Sequence, residues 1–390
     1  MLRILTPSTL FPDATRPNFG IFVERQTLGL AAHPKISLQA VAPIGLPPGP
    51  LRHLGHYAAL AKLPKHERWK GVDVHRPRFT VQPFSQGRHY AAALQRALIP
   101  LLDTIREDFA FDVIDASFFF PDGPAAIALG RRYDVPVSIK ARGSDVHHWG
   151  NAPATAAQVR DAGRNAAGML AVSAAMKADM VAMGLPADHI RVHHTGVDQD
   201  RFHPIDRSTA KAALGIAGPL VVSVGALIPR KGHDIVIDAI AALPGVTLLI
   251  AGEGPARSKL EAQIARRGIT DRVRLLGAVP HAEIPKLIAT ADVTALASSS
   301  EGLANAWVES LACGTPIVIT DAGGAHELVK SSEAGRVTIA DPLAFAAAIR
   351  TILADPPSPQ ATRATIAGFT WETNTAALYE HLAPLAARRF

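Results

Sequence analysis

Apolar and polar positions along this chain fall into short alternating blocks. Short apolar-rich stretches bounded by turn residues predict strands at 2–6, 36–42, 112–115, 135–140, 165–172 and 190–194. Runs of this kind suit strands covered on both faces. Helical repeats separate them, at about 21–32, 87–107, 123–133 and 174–183, the last with Ser173 as its cap. A second set of strands follows at 220–225, 246–251, 273–276, 293–297 and 317–320, with helices at 234–242, 257–267 and 281–291. One long helix from Trp371 to Ala387 ends the pattern. Two successive strand–helix series predict an α/β chain with two Rossmann-like, doubly wound parallel sheets. The breaks divide it into 1–203, 204–368 and a C-terminal helix, 369–390, that packs back on the first domain. Loops at the carboxyl ends of the strands would then face one another across a cleft between the domains.

Composition narrows the class. At 390 residues the chain is long for one core, and 30 prolines with 30 glycines imply many short loops. No apolar run is long enough to span a bilayer, and Leu2–Pro7 reads as a core strand rather than a leader. The single cysteine, Cys313, excludes an internal disulfide framework and fits a reducing cytoplasm. The formal charge of +6 is unevenly placed. Residues 51–100, a proline-rich insertion ahead of the helix at 87, carry nine Lys/Arg against Glu67 and Asp73, a local +7. That stretch is either a solvated basic face or a docking surface for an anionic partner: a membrane surface, a lipid diphosphate or an acidic glycan. No groove-reading motif accompanies it, so nucleic acid is not expected.

The densest candidate chemistry lies in residues 298–320, a polar loop, a short helix and a buried strand. Glu301 precedes a helix expected to start at Asn305, as a capping residue, and to stop at Gly314. Glu309 projects from its first turns, away from the apolar face of Ala304, Val308, Leu311 and Ala312. Amides at a helix start suit a diphosphate, and carboxylates accept from hydroxyls. Together they describe a nucleotide-sugar, although the same acids would also complement a helix dipole. Arg230 and Lys231 follow a strand and offer a pyrophosphate clamp. Gly20 closes a strand–loop–helix turn, and Arg142, Asp145 and His147 lie just past another strand, where open sheets bind ligands. Gly252-Glu253-Gly254-Pro255 approaches a dinucleotide fingerprint, but Arg257 stands where its third glycine would be, and no Walker loop is present. Asp198-Gln199-Asp200 reads as a linker turn rather than a metal pair.

These motifs together resemble the retaining glycosyltransferases of family 4, which have the GT-B fold. The resemblance rests on Glu301 and Glu309 with seven residues between, Ala-Cys-Gly-Thr-Pro-Ile-Val at 312–318, Lys231-Gly232, Gly-Glu-Gly-Pro at 252–255, and the Gly-Val-Asp…Arg-Phe…Pro linker at 196–204. Pro-Asn-Phe-Gly-Ile-Phe-Val-Glu-Arg-Gln at 17–26 and Arg-Gly-Ser-Asp at 142–145 look like the teichuronic-acid-type, exopolysaccharide-building subgroup. The resemblance implies Glu309 on the donor ribose, Glu301 near the donor sugar, and the backbone of Gly302, Leu303, Ala304 and Asn305 against sugar and phosphate. It implies Lys231 and Arg230 on the leaving diphosphate, Gly20 beside that diphosphate, Glu253 and Gly254 near the base, and Arg142, Asp145 and His147 on acceptor or phosphate. Ala226 and Gly302-Leu303-Ala304 depart from the family's usual arginine and Gly-Phe-Gly.

The implied activity is hexosyl transfer with retention. The donor is a UDP- or GDP-linked sugar and the acceptor a saccharide or lipid-linked saccharide, in cell-surface polysaccharide synthesis. It needs neither cofactor nor metal. The enzyme would be cytoplasmic and peripheral on the inner face of the membrane. The rival readings are a nucleotide-sugar epimerase or phosphorylase on the same fold, and a non-catalytic two-lobed sugar-binding protein.

Overall fold

The computed structural model describes residues 1–387. The chain separates into two compact units, one of Met1–Gly196 with the segment beginning at Trp371, the other Val197–Thr370. The linker 197–203 packs with the second unit rather than ending the first. Phe202 is buried there, and Arg363 donates to the carbonyls of Gln199 and Phe202 at 2.8 Å each. The helix Trp371–Ala386 packs in the first unit, its Leu378 and Leu382 against Ile4, Leu30 and Val113. Residues 388–390 of the expected terminal segment lie outside the described residues.

The strands of the first unit are β1 Leu2–Pro7, β2 Ile36–Val41, β3 Ile44–Leu46, β4 His66–Trp69, β5 Val72–His75, β6 Arg78–Thr80, β7 Val113–Ala116, β8 Val137–Ala141, β9 Gly168–Ala171 and β10 Ile190–Val192. Eight of them form one sheet in the order β10-β9-β8-β7-β1-β2-β5-β4, while β3 and β6 pair separately. Only the β4–β5 pairing in the large sheet is antiparallel. Part of the basic stretch is therefore framework, not insertion. Val72 and Val74 are buried, and their alternation with Asp73 and His75 is the pattern of a strand with one wet face. Its cations are partly committed too: buried Arg76 pairs with Glu67, Lys70 with Glu24 at 2.9 Å, and Arg78 donates to backbone carbonyls of Leu63, Pro64 and Arg76.

The second unit holds β11 Leu220–Val224, β12 Thr247–Ala251, β13 Val273–Gly277, β14 Val293–Leu296, β15 Ile317–Thr320 and β16 Gly335–Thr338. All are parallel, in the order β13-β12-β11-β14-β15-β16. Its core brings Val221, Ile250, Val293 and Val318 from the sheet against Val236, Ile237, Ile240, Phe345 and Ile349 from helices. The order reverses between β11 and β14. That is a topological switch point, outside whose carboxyl ends a doubly wound sheet opens a ligand crevice. β16 and the helices Pro342–Ala354 and Pro359–Ala364 lack a prediction from the pattern. β16 is an edge strand reading Gly-Arg-Val-Thr, too polar and short to stand out.

Candidate functional site

The loops after β11 and β14 leave the sheet on either side of the switch point and are bound to each other. Ser299 N–H donates to the Arg230 carbonyl at 2.9 Å. Gly232 packs so tightly on the second loop that a Cβ there would lie 2.1 Å from the Ala297 carbonyl oxygen. Gly232 also has φ +62 and starts the helix His233–Ala241, which explains why a glycine must stand there. The consequence is a fixed placement of Arg230 and Lys231 beside Glu301. Lys231 Nζ is 2.5 Å from Glu301 Oε1, and Arg230 Nη1 is 3.4 Å from Oε2 and also donates to the Ser300 carbonyl. Glu301 is 8% exposed, so its charge is largely desolvated and depends on these cations. Two cations against one carboxylate leave one positive charge in excess, suited to an anionic ligand.

The helix Asn305–Ala312 follows directly. Asn305 is its first helical residue, not its cap. Ala304 occupies that position, and no side chain caps the end. Trp307 N–H turns back to the Ala304 carbonyl at 3.0 Å, and the amides of Asn305 and Ala306 are left for a ligand or water. At the other end the chain turns at Gly314, φ +71, with Thr315 N–H returning to the Ser310 carbonyl at 2.9 Å. Leu303 and Ala304 are buried, and Trp307 lies wholly inside. Gly302 accepts from Gly324 N–H at 2.9 Å, and Gly323 is pressed against Glu301, where a Cβ would meet the Glu301 carbonyl oxygen at 2.2 Å.

Glu309 is half-buried and has no hydrogen-bond donor among the described residues. Burial pushes its carboxyl up to about 7, with Arg201 pulling the other way. An acceptor held this way, without an internal partner, is what a ligand hydroxyl would satisfy. Arg201 itself donates to the His281 carbonyl, which fixes the linker beside this helix. Cys313, at the helix end, is buried, and its thiol is pushed up to about 12, chiefly by burial and then by Glu309.

On the far side of β11, the 252–255 loop lies across the turn after β11. Leu227 N–H donates to the Glu253 carbonyl at 2.8 Å, and a Cβ on Gly254 would sit 2.4 Å from the Leu227 oxygen. Glu253 itself is exposed. His233 is buried beside Gly225 at the end of β11 and bonds Ser223 Oγ at 3.0 Å, with burial lowering its basicity.

In the first unit, Gly20 has φ +69 at the start of the helix Ile21–Ala31, and a Cβ there would be 2.5 Å from the Leu10 oxygen. Arg142 follows β8. Its Nε donates to the Ser117 carbonyl at 2.6 Å and its Nη2 to Gln26 Oε1 at 3.2 Å, while Phe22 lies 4.9 Å beneath the guanidinium. Burial lowers it to about 10, so it stays charged. Asp145 is placed differently: fully buried, it accepts from the backbone N–H of Phe119, Arg142, Gly143 and Val146. It braces the turn that presents Arg142. His147 is partly exposed and bonds Asp179 at 2.7 Å.

Three residues in this picture escape motif reading as positioning groups. Arg201 tunes Glu309, Gln26 holds Arg142 and buried Lys140 at once, and Gly323 fits the Glu301 loop. The signal for Gln26 is its place one helical turn beyond Phe22 on the face toward the sheet.

Two family models match the chain. One, described as Glycosyltransferase Family 4, covers residues 40–201, and the other, Glycosyl transferases group 1, covers 206–368. Among curated proteins, the D-inositol 3-phosphate glycosyltransferase of Mycobacterium leprae is 37% identical over 204 residues, 48% of this chain and 47% of that protein. Its namesake from Mycobacterium tuberculosis is 37% identical over 210 residues, 50% of this chain and 44% of that one. The matched stretch spans about half the length of these relatives. Among solved structures, Anabaena Alr3699/HepE in complex with UDP aligns over 98% of this chain and 100% of its own, with TM-score 0.74 at 22% identity. Sucrose-phosphate synthase from Thermosynechococcus elongatus aligns over 99% of this chain and 100% of its own, with TM-score 0.83 at 20% identity. The names of the curated relatives do not point to the teichuronic-acid-type subgroup. Each of the two units thus matches a glycosyltransferase model, and the chain has two Rossmann-like domains of the GT-B fold.

Proposed function

We propose that the protein is a retaining glycosyltransferase that moves a hexose from a nucleotide-sugar to a saccharide or lipid-linked saccharide in cell-surface polysaccharide synthesis. The observation that carries this reading is the arrangement at the β11/β14 switch point. Lys231 and Arg230 converge on one carboxylate there, and a second carboxylate, Glu309, waits without a donor about one turn into the helix that follows. A nucleoside diphosphate would compete with Glu301 for the two cations. Glu301, released, would accept from the donor sugar's hydroxyls, and Glu309 from the ribose. The backbone of Gly302–Asn305 would face sugar and phosphate, and the Glu253–Gly254 loop the base.

In the reaction, the acceptor oxygen forms a bond to the anomeric carbon on the face that the diphosphate leaves. The carbon–phosphate-oxygen bond breaks, its electron pair stays on the diphosphate, and that oxygen takes the acceptor's proton. Lys231, Arg230 and the free helix amides stabilise the charge developing on the leaving group, the kind of preorganised electrostatic help that dominates many enzymes. These cations supply the charge a divalent ion would otherwise bring, so no metal is assigned a step. In the first unit, Gly20 is proposed to approach phosphate, and Arg142 with His147 to bind acceptor. The Arg142 guanidinium, held on two sides, offers its remaining N–H groups to an anionic acceptor. The name of the mycobacterial relatives, D-inositol 3-phosphate glycosyltransferase, makes a phosphorylated cyclitol a specific acceptor to include. Calorimetric titration with UDP, GDP and ADP tests the reading. It predicts binding of one of them that disappears in Lys231→Ala, and binding of none would sink it.

A further inference from the structure

One surface of the first unit has no part in the proposed chemistry. β3 and β6 run parallel, with Ile44 beside Arg78 and Leu46 beside Thr80, so the chain leaves both strands at the same end. From β3 it enters residues 48–56, all exposed, including Leu51 and Leu54. From β6 it enters residues 82–84, also exposed, and ends them on Phe84, whose side chain is entirely in solvent. Phe84 has φ +62 and Gln86 φ +50, a backbone region that bulky L-residues rarely occupy. The fold thus holds an aromatic ring outward on an unfavourable backbone and gains no burial from it. Beneath the tip, Ile44, Leu46, Leu60 and Leu63 form a small core, so the platform is anchored while Leu51, Leu54 and Phe84 stand clear of it.

Charge supplies the second observation. No acidic residue occurs between Glu24 and Glu67, or between Asp73 and Asp103. Glu24, Glu67 and Asp73 are already paired with Lys70, Arg76 and His66. Arg52 and Arg88 lie in the two loops themselves, with Lys62 and Lys65 close behind in sequence, and none of the four makes an ion pair among the described residues. A soluble polyanion would neutralise these cations but leave three apolar side chains in water. A lipid surface with anionic headgroups takes both.

We propose that this tip docks the protein on an anionic membrane surface, with Phe84, Leu51 and Leu54 entering the boundary between headgroups and acyl chains and Arg52, Arg88 and Lys65 on lipid phosphates. The proposal does not rest on the reaction, because nucleotide-sugar hydrolysis in free solution does not need the tip. The test is flotation of the full chain with phosphatidylcholine vesicles, with and without phosphatidylglycerol. The expected result is flotation with anionic vesicles at low salt, none with neutral ones, and weakening as salt rises. Phe84→Ser should lower the partition coefficient about tenfold, and Arg52→Glu at least fivefold. Both variants should keep the wild-type melting temperature and donor hydrolysis. In Phe84→Trp, brominated lipid should quench the new indole only when the vesicles are anionic. No flotation of the wild type would overturn the proposal, as would an unquenched indole on bound protein. So would equal binding by a Phe84→Ser/Leu54→Ser double variant, or capture by a soluble acidic polysaccharide or protein that depends on Phe84 as strongly.

Discussion

Replacing Glu309 by glutamine separates the two effects that its environment imposes. The carboxyl is raised from 4.5 to about 7 because burial disfavours its charge and Arg201 only partly compensates. A folded-state value above the unfolded one means that the folded chain holds this proton more tightly. Stability contributed by the neutral form is therefore present below the ordinary glutamate range and lost as pH rises through about 7. At ~1.4 kcal/mol per pH unit the full gap is worth at most about 3.5 kcal/mol, and solvent reaching the half-buried side chain reduces it to roughly 1–2 kcal/mol. Glu309→Gln removes that penalty. Without ligand, the variant should melt higher than wild type at pH 8 and about equally at pH 4.5, as followed by calorimetry. The same change removes a charged acceptor from the proposed ribose contact, where hydrogen bonds to charged groups are worth ~1.5–3 kcal/mol. Nucleotide affinity at pH 8 should then fall by roughly 10- to 150-fold. A variant that is destabilised at pH 8, or binds nucleotide as the wild type does, would refute the reasoning.

Three further outcomes follow from the geometry. Lys231→Met keeps the aliphatic stem and removes the charge from the Glu301 pair, and turnover in a coupled nucleotide-release assay should drop by about 10²–10³. Retention of most activity would remove Lys231 from the leaving-group role. Gly232→Ala places a Cβ 2.1 Å from the Ala297 oxygen at a positive φ, so chemical denaturation should show a loss of about 2–4 kcal/mol. Unchanged stability would mean that the two loops are not held together as described. Arg142→Lys keeps charge but loses the fork on Ser117 and Gln26, and the KM for acceptor should rise roughly tenfold with kcat at saturation little changed. An equal fall in kcat would place Arg142 in the chemical step.

The fold was legible where burial on both faces leaves a predominantly apolar stretch. β1, β8, β11, β12 and β15 lie within a residue or two of their predicted positions because apolar residues dominate them, although Arg3, Lys140 and Ser223 stand within three of them. β4, β5 and β16, at or next to a sheet edge, were not legible: each carries charge among few apolar residues, and the basic stretch hid two framework strands behind its net charge. In the second unit's candidate site, types and spacing placed Glu301, Lys231 and Glu309 near one another, since each follows a predicted strand at a sheet's carboxyl end. Their mutual state was not legible. That Glu301 neutralises Lys231, or that Glu309 is left unpaired beside Arg201, depends on loops bound through backbone atoms, such as Ser299 to Arg230. Asp145 shows the opposite limit. As a residue type it reads as a ligand, but only the structure reveals four backbone N–H groups filling its carboxylate.

The central claim is transfer from a nucleotide-sugar with the anomeric configuration kept. Proton NMR of the protein with a panel of UDP-, GDP- and ADP-linked hexoses tests it most directly, because the first-formed sugar can be read before it mutarotates. The account predicts that one donor is slowly hydrolysed to nucleoside diphosphate and a sugar of the donor's own anomer, and that Lys231→Met abolishes this. Release of the opposite anomer, or no hydrolysis of any donor in the panel, would contradict it.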